Sequence, residues 1–167
     1  MERNSTNTRT EAFEFARRTR KNLEFIEEAK EKGRDVHPVT QLTLSLLGLI
    51  VFPKEKFLLA RIEKKTLEDM KGEGWPTWKI VRDDEKSTKT LGHILRHLRN
   101  AVAHGRLSFI TSDPNLDTSD SPYAEHVIIR VKDKPPGAKV NWCAEINGKD
   151  LRAFCLRLIE FIDKEVG

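Results

Sequence analysis

The 167-residue chain is predicted to be mainly α, a helical bundle with a small antiparallel β-sheet inserted before the last helix. Three observations predict this. Apolar residues recur at helical spacing over most of the N-terminal part and again from Leu151 to Ile162. After Gly105 the period changes to alternation at Leu107, Phe109 and Thr111, and two further strand-like runs follow before residue 147. Gly33, Pro38, Pro53, Gly105 and Asn147-Gly148 punctuate the joins.

Residues 1–8 are rich in Asn, Ser and Thr without periodic apolar positions, so they are read as a flexible leader to one domain over 9–167. From Glu11 to Lys32, Phe13, Ala16, Leu23, Ile26 and Ala29, joined by Phe15 and Phe25, mark a long helix that Gly33 stops. Pro38 opens a second helix through Leu42, Leu44, Leu46, Leu47, Leu49 and Ile50. It is apolar on nearly every side, which suits the centre of a bundle, and Pro53 forbids its continuation. Lys54 to Met70, with Phe57, Leu58, Ile62 and Leu67 among charges, reads as one exposed helix or two short ones. Gly72 to Lys89 reads as a loop whose Trp75 and Trp78 are anchors on the bundle or, alternatively, stacking platforms for bases.

Thr90 to His104 is a clear amphipathic helix ended by Gly105. Leu107, Phe109 and Thr111 then alternate with polar positions, and strand-like runs follow at Val127 to Val131 and Val140 to Ile146. The segment 113–122 and the turn around Pro135, Pro136 and Gly137 read as exposed loops. Asp150 is the expected N-cap of the last helix, whose apolar stripe is Leu151, Phe154, Cys155, Leu158 and Ile162.

Composition narrows the function classes. Hydrophobic residues form 38% and charged residues 34% of the chain, which excludes wholesale disorder. Thirty basic residues against 26 acidic ones permit contact with a polyanion without demanding it. Cys143 and Cys155 have no metal-ligand spacing, so two reduced core thiols are expected and neither a metal nor another cofactor is. The stretch from Leu42 to Phe52 falls well short of the roughly 20 residues a membrane span needs, and no signal-peptide pattern is seen. A soluble cytoplasmic protein without a membrane partner is expected.

The candidate chemistry lies on the helix that ends at His104. With about 100° per residue, Ile94, Leu95, Leu98, Ala101 and Val102 join Leu91 on one packing face. The opposite stripe carries Arg96, Arg99 and Asn100 with His93, His97 and His104, and is expected to be exposed. Histidine moves protons near neutral pH, and arginine offers a fixed cation with forked donors matched to phosphate oxygens. Phosphodiester cleavage needs both: a base for the ribose 2′-OH, stabilisation of the charge gathering on phosphorus, and an acid for the departing 5′ oxygen. Arg99 and His104 stand about 140° apart on an ideal helix, so they can flank one phosphate, with Asn100 between them. A solvated basic helix face is the competing reading, because spacing alone is not specific.

The run Leu95-Arg96-His97-Leu98-Arg99-Asn100-Ala101-Val102-Ala103-His104-Gly105 resembles the signature of the HEPN superfamily: an Arg followed by a polar residue precedes a His near a helix end. The run from Leu46 to Pro53 is similar to the central helix of plasmid- and phage-defence-associated HEPN proteins, and the strand-rich stretch 107–146 departs from a plain HEPN bundle. The resemblance implies a metal-independent endoribonuclease, a toxin or defence effector, that acts as a homodimer with the two motif helices facing each other and leaves a 2′,3′-cyclic phosphate. Carried over residue by residue, it makes Arg99 and His104 the catalytic pair and Asn100 their polar support. His93, Arg96, His97 and Arg106 match no family position and are substrate-binding candidates from the basic helix end alone. RNA, a second copy and an antitoxin or regulatory protein are the expected partners. The alternatives are a non-catalytic RNA- or nucleotide-binding module and a dimerisation domain whose stripe is an interface.

Overall fold

The computed structural model describes residues 3–51, 56–111 and 127–166. Six helices, α1 (Arg3–Glu31), α2 (Pro38–Val51), α3 (Lys56–Lys64), α4 (Leu67–Gly72), α5 (Leu91–Ala103) and α6 (Gly148–Val166), are joined by strands β1 (Lys79–Asp83), β2 (Leu107–Thr111), β3 (Val127–Asp133) and β4 (Trp142–Asn147). The strands form one antiparallel sheet in the order β1-β4-β3-β2. The fold is mainly α with a small sheet, as the periodicities predict.

Helix α2 packs on α1, α5 and α6, which places it at the centre of the bundle; among its described large apolar side chains Leu44, on the outer side, is the strongly exposed one. Leu42, Leu46, Leu49 and Ile50 supply its buried faces. Phe15 of α1 sits so close to Gly48 that a Cβ there would come within 2.5 Å of its ring. The sheet lays Val127, Ile129, Val131, Trp142, Ala144 and Ile146 in the core, with α5 against β3 and α6 against β3 and β4. Cys143 and Cys155 are buried free thiols, and complete burial pushes the Cys155 thiol far above its ordinary range.

Several expectations are corrected. Helix α1 reaches back to Arg3 through the stretch expected as a leader. No Gly or Pro interrupts residues 3–31, and adding a turn to an existing helix costs far less than starting one. The segment 72–89 is not wholly loop. It contains β1, which pairs with β4, so the sheet begins before α5 and is not confined to the stretch 107–146. Its sequence Lys-Ile-Val-Arg-Asp lacks an alternating signal because the strand lies at a sheet edge with little burial. The stretch after Lys54 divides into α3 and α4 at Thr66, whose hydroxyl accepts the Asp69 N–H at 3.0 Å while the Asp69 carboxylate accepts the Thr66 N–H at 3.1 Å.

Asn147, not Asp150, caps α6. Its Oδ1 accepts the Asp150 N–H at 2.7 Å, and its Nδ2 donates to the Asp150 carboxylate at 2.8 Å. Trp75 and Trp78 are buried anchors, both packed edge-on against Phe154. Pro53, the loop 113–122 and the side chains of Phe57 and Leu58 lie outside the described residues. No described helix is long and apolar enough to cross a membrane.

Candidate nuclease site at the end of helix α5

Both ends of α5 are set by local chemistry. Thr90 caps the start, its hydroxyl accepting the His93 N–H. At the other end Gly105 takes φ +62°, the Gly105 N–H donates to Val102 O at 3.0 Å, and the Arg106 N–H donates to Ala101 O at 2.8 Å. This six-to-one closure ends the helix abruptly and throws the chain into β2. His104, at the C-cap, is exposed, and its own N–H still bonds Asn100 O at 3.2 Å.

The stripe expected to be exposed divides into three environments. Arg99 turns toward α2, half-buried, and its Nη2 donates to Ile50 O at 3.0 Å, so the guanidinium closes the last turn of that helix. Its Nε is buried without a hydrogen-bond partner. Arg99, Arg96 and His93 line a cleft of about 360 Å³ between α2, α3 and α5, together with Leu49, Ile50 and Glu63. Arg96 is exposed there and His93 half-buried. Burial, and next to it the neighbouring Arg96 cation, holds His93 below the usual imidazole range.

His97 is the clearest correction, since it is buried and not on an exposed face. Its ring lies flat on Trp142, centroids 4.4 Å apart and planes 10° from parallel, and its Nδ1 is 2.8 Å from an Asp133 carboxylate oxygen. The reason lies in the sheet register: Asp133 and Trp142 are cross-strand partners on the inner face, and the helix turn carrying His97 packs onto that pair. The Trp142 Nε1 donates in turn to the Thr88 hydroxyl at 2.8 Å. His97 is thus a packing residue, removed from the substrate-binding candidates.

Asp133 gathers the rest of the helix end. The same oxygen that faces His97 accepts from Asn100 Nδ2 at 3.1 Å, and the other accepts the Lys134 N–H at 2.8 Å and lies 3.6 Å from Arg106 Nη1. Arg106 Nη1 also donates to Lys134 O at 3.1 Å, so Arg106 is half-buried and locked to the β3 terminus. Asn100 keeps an exposed face while anchored at its amide. Asp133 escapes a search for helical motifs because it lies on β3. The signal was nonetheless present: it continues the inward phase of Val127, Ile129 and Val131, where a carboxylate needs partners.

Within one chain, therefore, Arg99, Arg96 and His93 share a cleft, Asn100 and Arg106 share the Asp133 clamp with His97, and His104 stands exposed at the helix end. Among the described residues no group of three or more His, Cys, Asp or Glu side chains is arranged to hold a metal ion.

A bundle whose penultimate helix carries an arginine and a terminal, exposed histidine, with a polar residue following the arginine, defines a HEPN-class domain. The whole chain, residues 1–167, matches the family model described as HEPN pEK499 p136, and the chain belongs to that family. No curated protein and no solved structure gives a significant match. Membership supports an RNA-related or nuclease role at the level of the family.

Proposed function

We propose that this protein is a metal-independent endoribonuclease, a toxin or defence effector of the cytoplasm, that cuts RNA with Arg99 and His104. The observation that carries the reading is the terminus of α5: the Gly105 closure leaves His104 exposed at the helix end, five residues beyond an arginine that faces a cleft. In the reaction the ribose 2′-OH loses its proton and attacks the adjacent phosphorus. The bond to the 5′ oxygen breaks, and that oxygen takes a proton, leaving a 2′,3′-cyclic phosphate and a 5′-OH. Arg99 stabilises the negative charge on the five-coordinate phosphorus, and His104 accepts or donates the proton.

One imidazole cannot conveniently serve as base and acid in the same turnover. A homodimer with the α5 termini facing across a two-fold axis supplies the second from the partner copy. Asn100, held by Asp133, supports the arrangement, while Arg96 and Arg106 add positive charge for the RNA backbone. An antitoxin or regulatory protein is the expected restraint on such an activity.

A non-catalytic RNA- or nucleotide-binding module, acting as a dimeric interaction domain, is the second reading. It is favoured by one feature: Arg99 already bonds the Ile50 carbonyl and must keep or exchange that contact when it meets a phosphate. The two are separated by incubating the full chain with RNA in EDTA. The nuclease reading expects cleavage that His104→Ala and Arg99→Ala each abolish with the fold unchanged. Salt-sensitive binding without cleavage by the unmutated protein supports the second reading.

A further inference from the structure

Asp133 lies at the end of β3, on a different element from Arg99 and His104, yet it holds the polar side chain that stands between those two in α5. Its carboxylate is buried, and both oxygens are engaged. One accepts the Lys134 N–H at 2.8 Å and lies 3.6 Å from Arg106 Nη1. The other faces His97 Nδ1 at 2.8 Å and Asn100 Nδ2 at 3.1 Å. The His97 ring behind it lies flat on Trp142, whose Nε1 donates to the Thr88 hydroxyl. Turning the carboxylate therefore breaks contacts on β3, on α5 and at the start of β2 together.

This frame fixes which way the Asn100 amide points. A carboxylate oxygen only accepts, whereas an amide donates from its nitrogen and accepts at its carbonyl. A reversed amide would set its carbonyl against the carboxylate, two acceptors 3.1 Å apart with no proton between them. The Asn100 Oδ1 is accordingly the free end of the side chain. Among the described residues no donor reaches it, and Asn100 is exposed. A free acceptor here has a restricted use. Phosphate oxygens are acceptors as well, so the carbonyl does not bind the phosphate that Arg99 meets. Along a ribose-phosphate backbone the donor is the 2′-hydroxyl.

We infer that Asp133, backed by His97, is a positioning residue of the site: it holds the Asn100 amide nitrogen inward, so that Asn100 Oδ1 accepts from one ribose 2′-hydroxyl of the bound RNA. Asp133 itself touches no substrate and acts through Asn100. The inference rests on the nuclease reading for that hydroxyl being the attacking one, and not for the orientation of the acceptor. His97, excluded from substrate by burial, thereby acquires a part in the site at one remove.

The test uses full-length His104→Ala protein, which leaves RNA intact, and fluorescence anisotropy with a labelled twelve-nucleotide RNA. A set of the same strand carries 2′-fluoro at one position each, which removes the hydroxyl donor and keeps the sugar pucker of RNA. Expected is a loss of about three- to tenfold in affinity at one position and none elsewhere. Asn100→Asp sets two carboxylates against each other and is expected to erase that position from the profile. Adding Asp133→Asn to Asn100→Asp is expected to restore it, because the new amide at 133 donates to the new carboxylate at 100, whose second oxygen stays free to accept. A merely structural Asp133 predicts instead that binding of every strand follows the Tm of each variant. No measurable binding, a flat 2′-fluoro profile, a profile that survives Asn100→Asp, or a double variant that recovers Tm without the position-specific loss overturns the inference. A position-specific loss with its rescue, but without cleavage by the unmutated protein, keeps the positioning and rejects the nuclease reading; cleavage with a flat profile does the reverse.

Discussion

Removing the Asp133 carboxylate is the perturbation whose cost can be worked most directly from the structure. In Asp133→Ala the His97 Nδ1–H loses its acceptor, and His97 is 7% exposed, so water cannot replace it. A buried donor left unmade costs about 1–3 kcal/mol. Asn100 is exposed and Arg106 half-buried, so both recover solvent, and each loses on the order of 0.5–1 kcal/mol. The total, about 2–5 kcal/mol, overlaps the range of about 3–5 kcal/mol for removing one partner from a buried pair. For a domain of this size that lowers Tm by roughly 10 °C. Asp133→Asn keeps an acceptor for His97 and loses only the charge, so about half the cost is expected. Calorimetry or circular dichroism of the two variants measures both. A loss below about 1 kcal/mol in Asp133→Ala, or equal losses in the two variants, refutes the claim that this carboxylate clamps α5 to the sheet.

Three further outcomes follow from the same geometry. Gly105→Ala meets no atom within 4 Å, so its cost is the φ of +62° alone, about 1 kcal/mol; RNA cleavage falls much more than stability, because His104 is carried by that turn. His93 is held below its ordinary value of 6.5 chiefly by burial, so the unfolded chain binds the proton first as pH falls. Stability contributed by neutral His93 is then complete above about pH 6.5 and declines below it until the folded-state value is passed, and His93→Gln flattens the denaturation midpoint measured from pH 7 to 5. Arg99→Lys retains a charge but not the fork, and is expected to lose most cleavage in a single-turnover assay while folding as the parent does.

The long periodic elements were legible because their faces are bound by packing. Leu91, Ile94, Leu95, Leu98 and Ala101 are all buried on α5, as the wheel places them. The strand β1 was not legible, since an exposed edge strand imposes little alternation on its residues. The site was legible in part. Arg99 and His104 could be found from one helix, but the fate of that helix's polar stripe depends on β3 and β4, forty residues further along. A helical wheel assigns His97 an angle and cannot know that Trp142 and Asp133 wait there. Asp133 itself was visible only as a charge in an apolar phase. Asp133 shows in the period of its strand, but its pairing with His97 and Asn100 is a product of tertiary register.

The most direct measurement of the central claim is the chemical identity of the RNA ends. Purified protein is incubated with a single-stranded RNA in EDTA, beside His104→Ala, and the products are analysed by mass spectrometry. Cleavage by the unmutated chain that leaves 2′,3′-cyclic phosphate and 5′-hydroxyl ends, and that disappears in His104→Ala, is the outcome expected from the exposed terminus of α5. Intact RNA with the unmutated protein, or the same ends produced equally by His104→Ala, contradicts it.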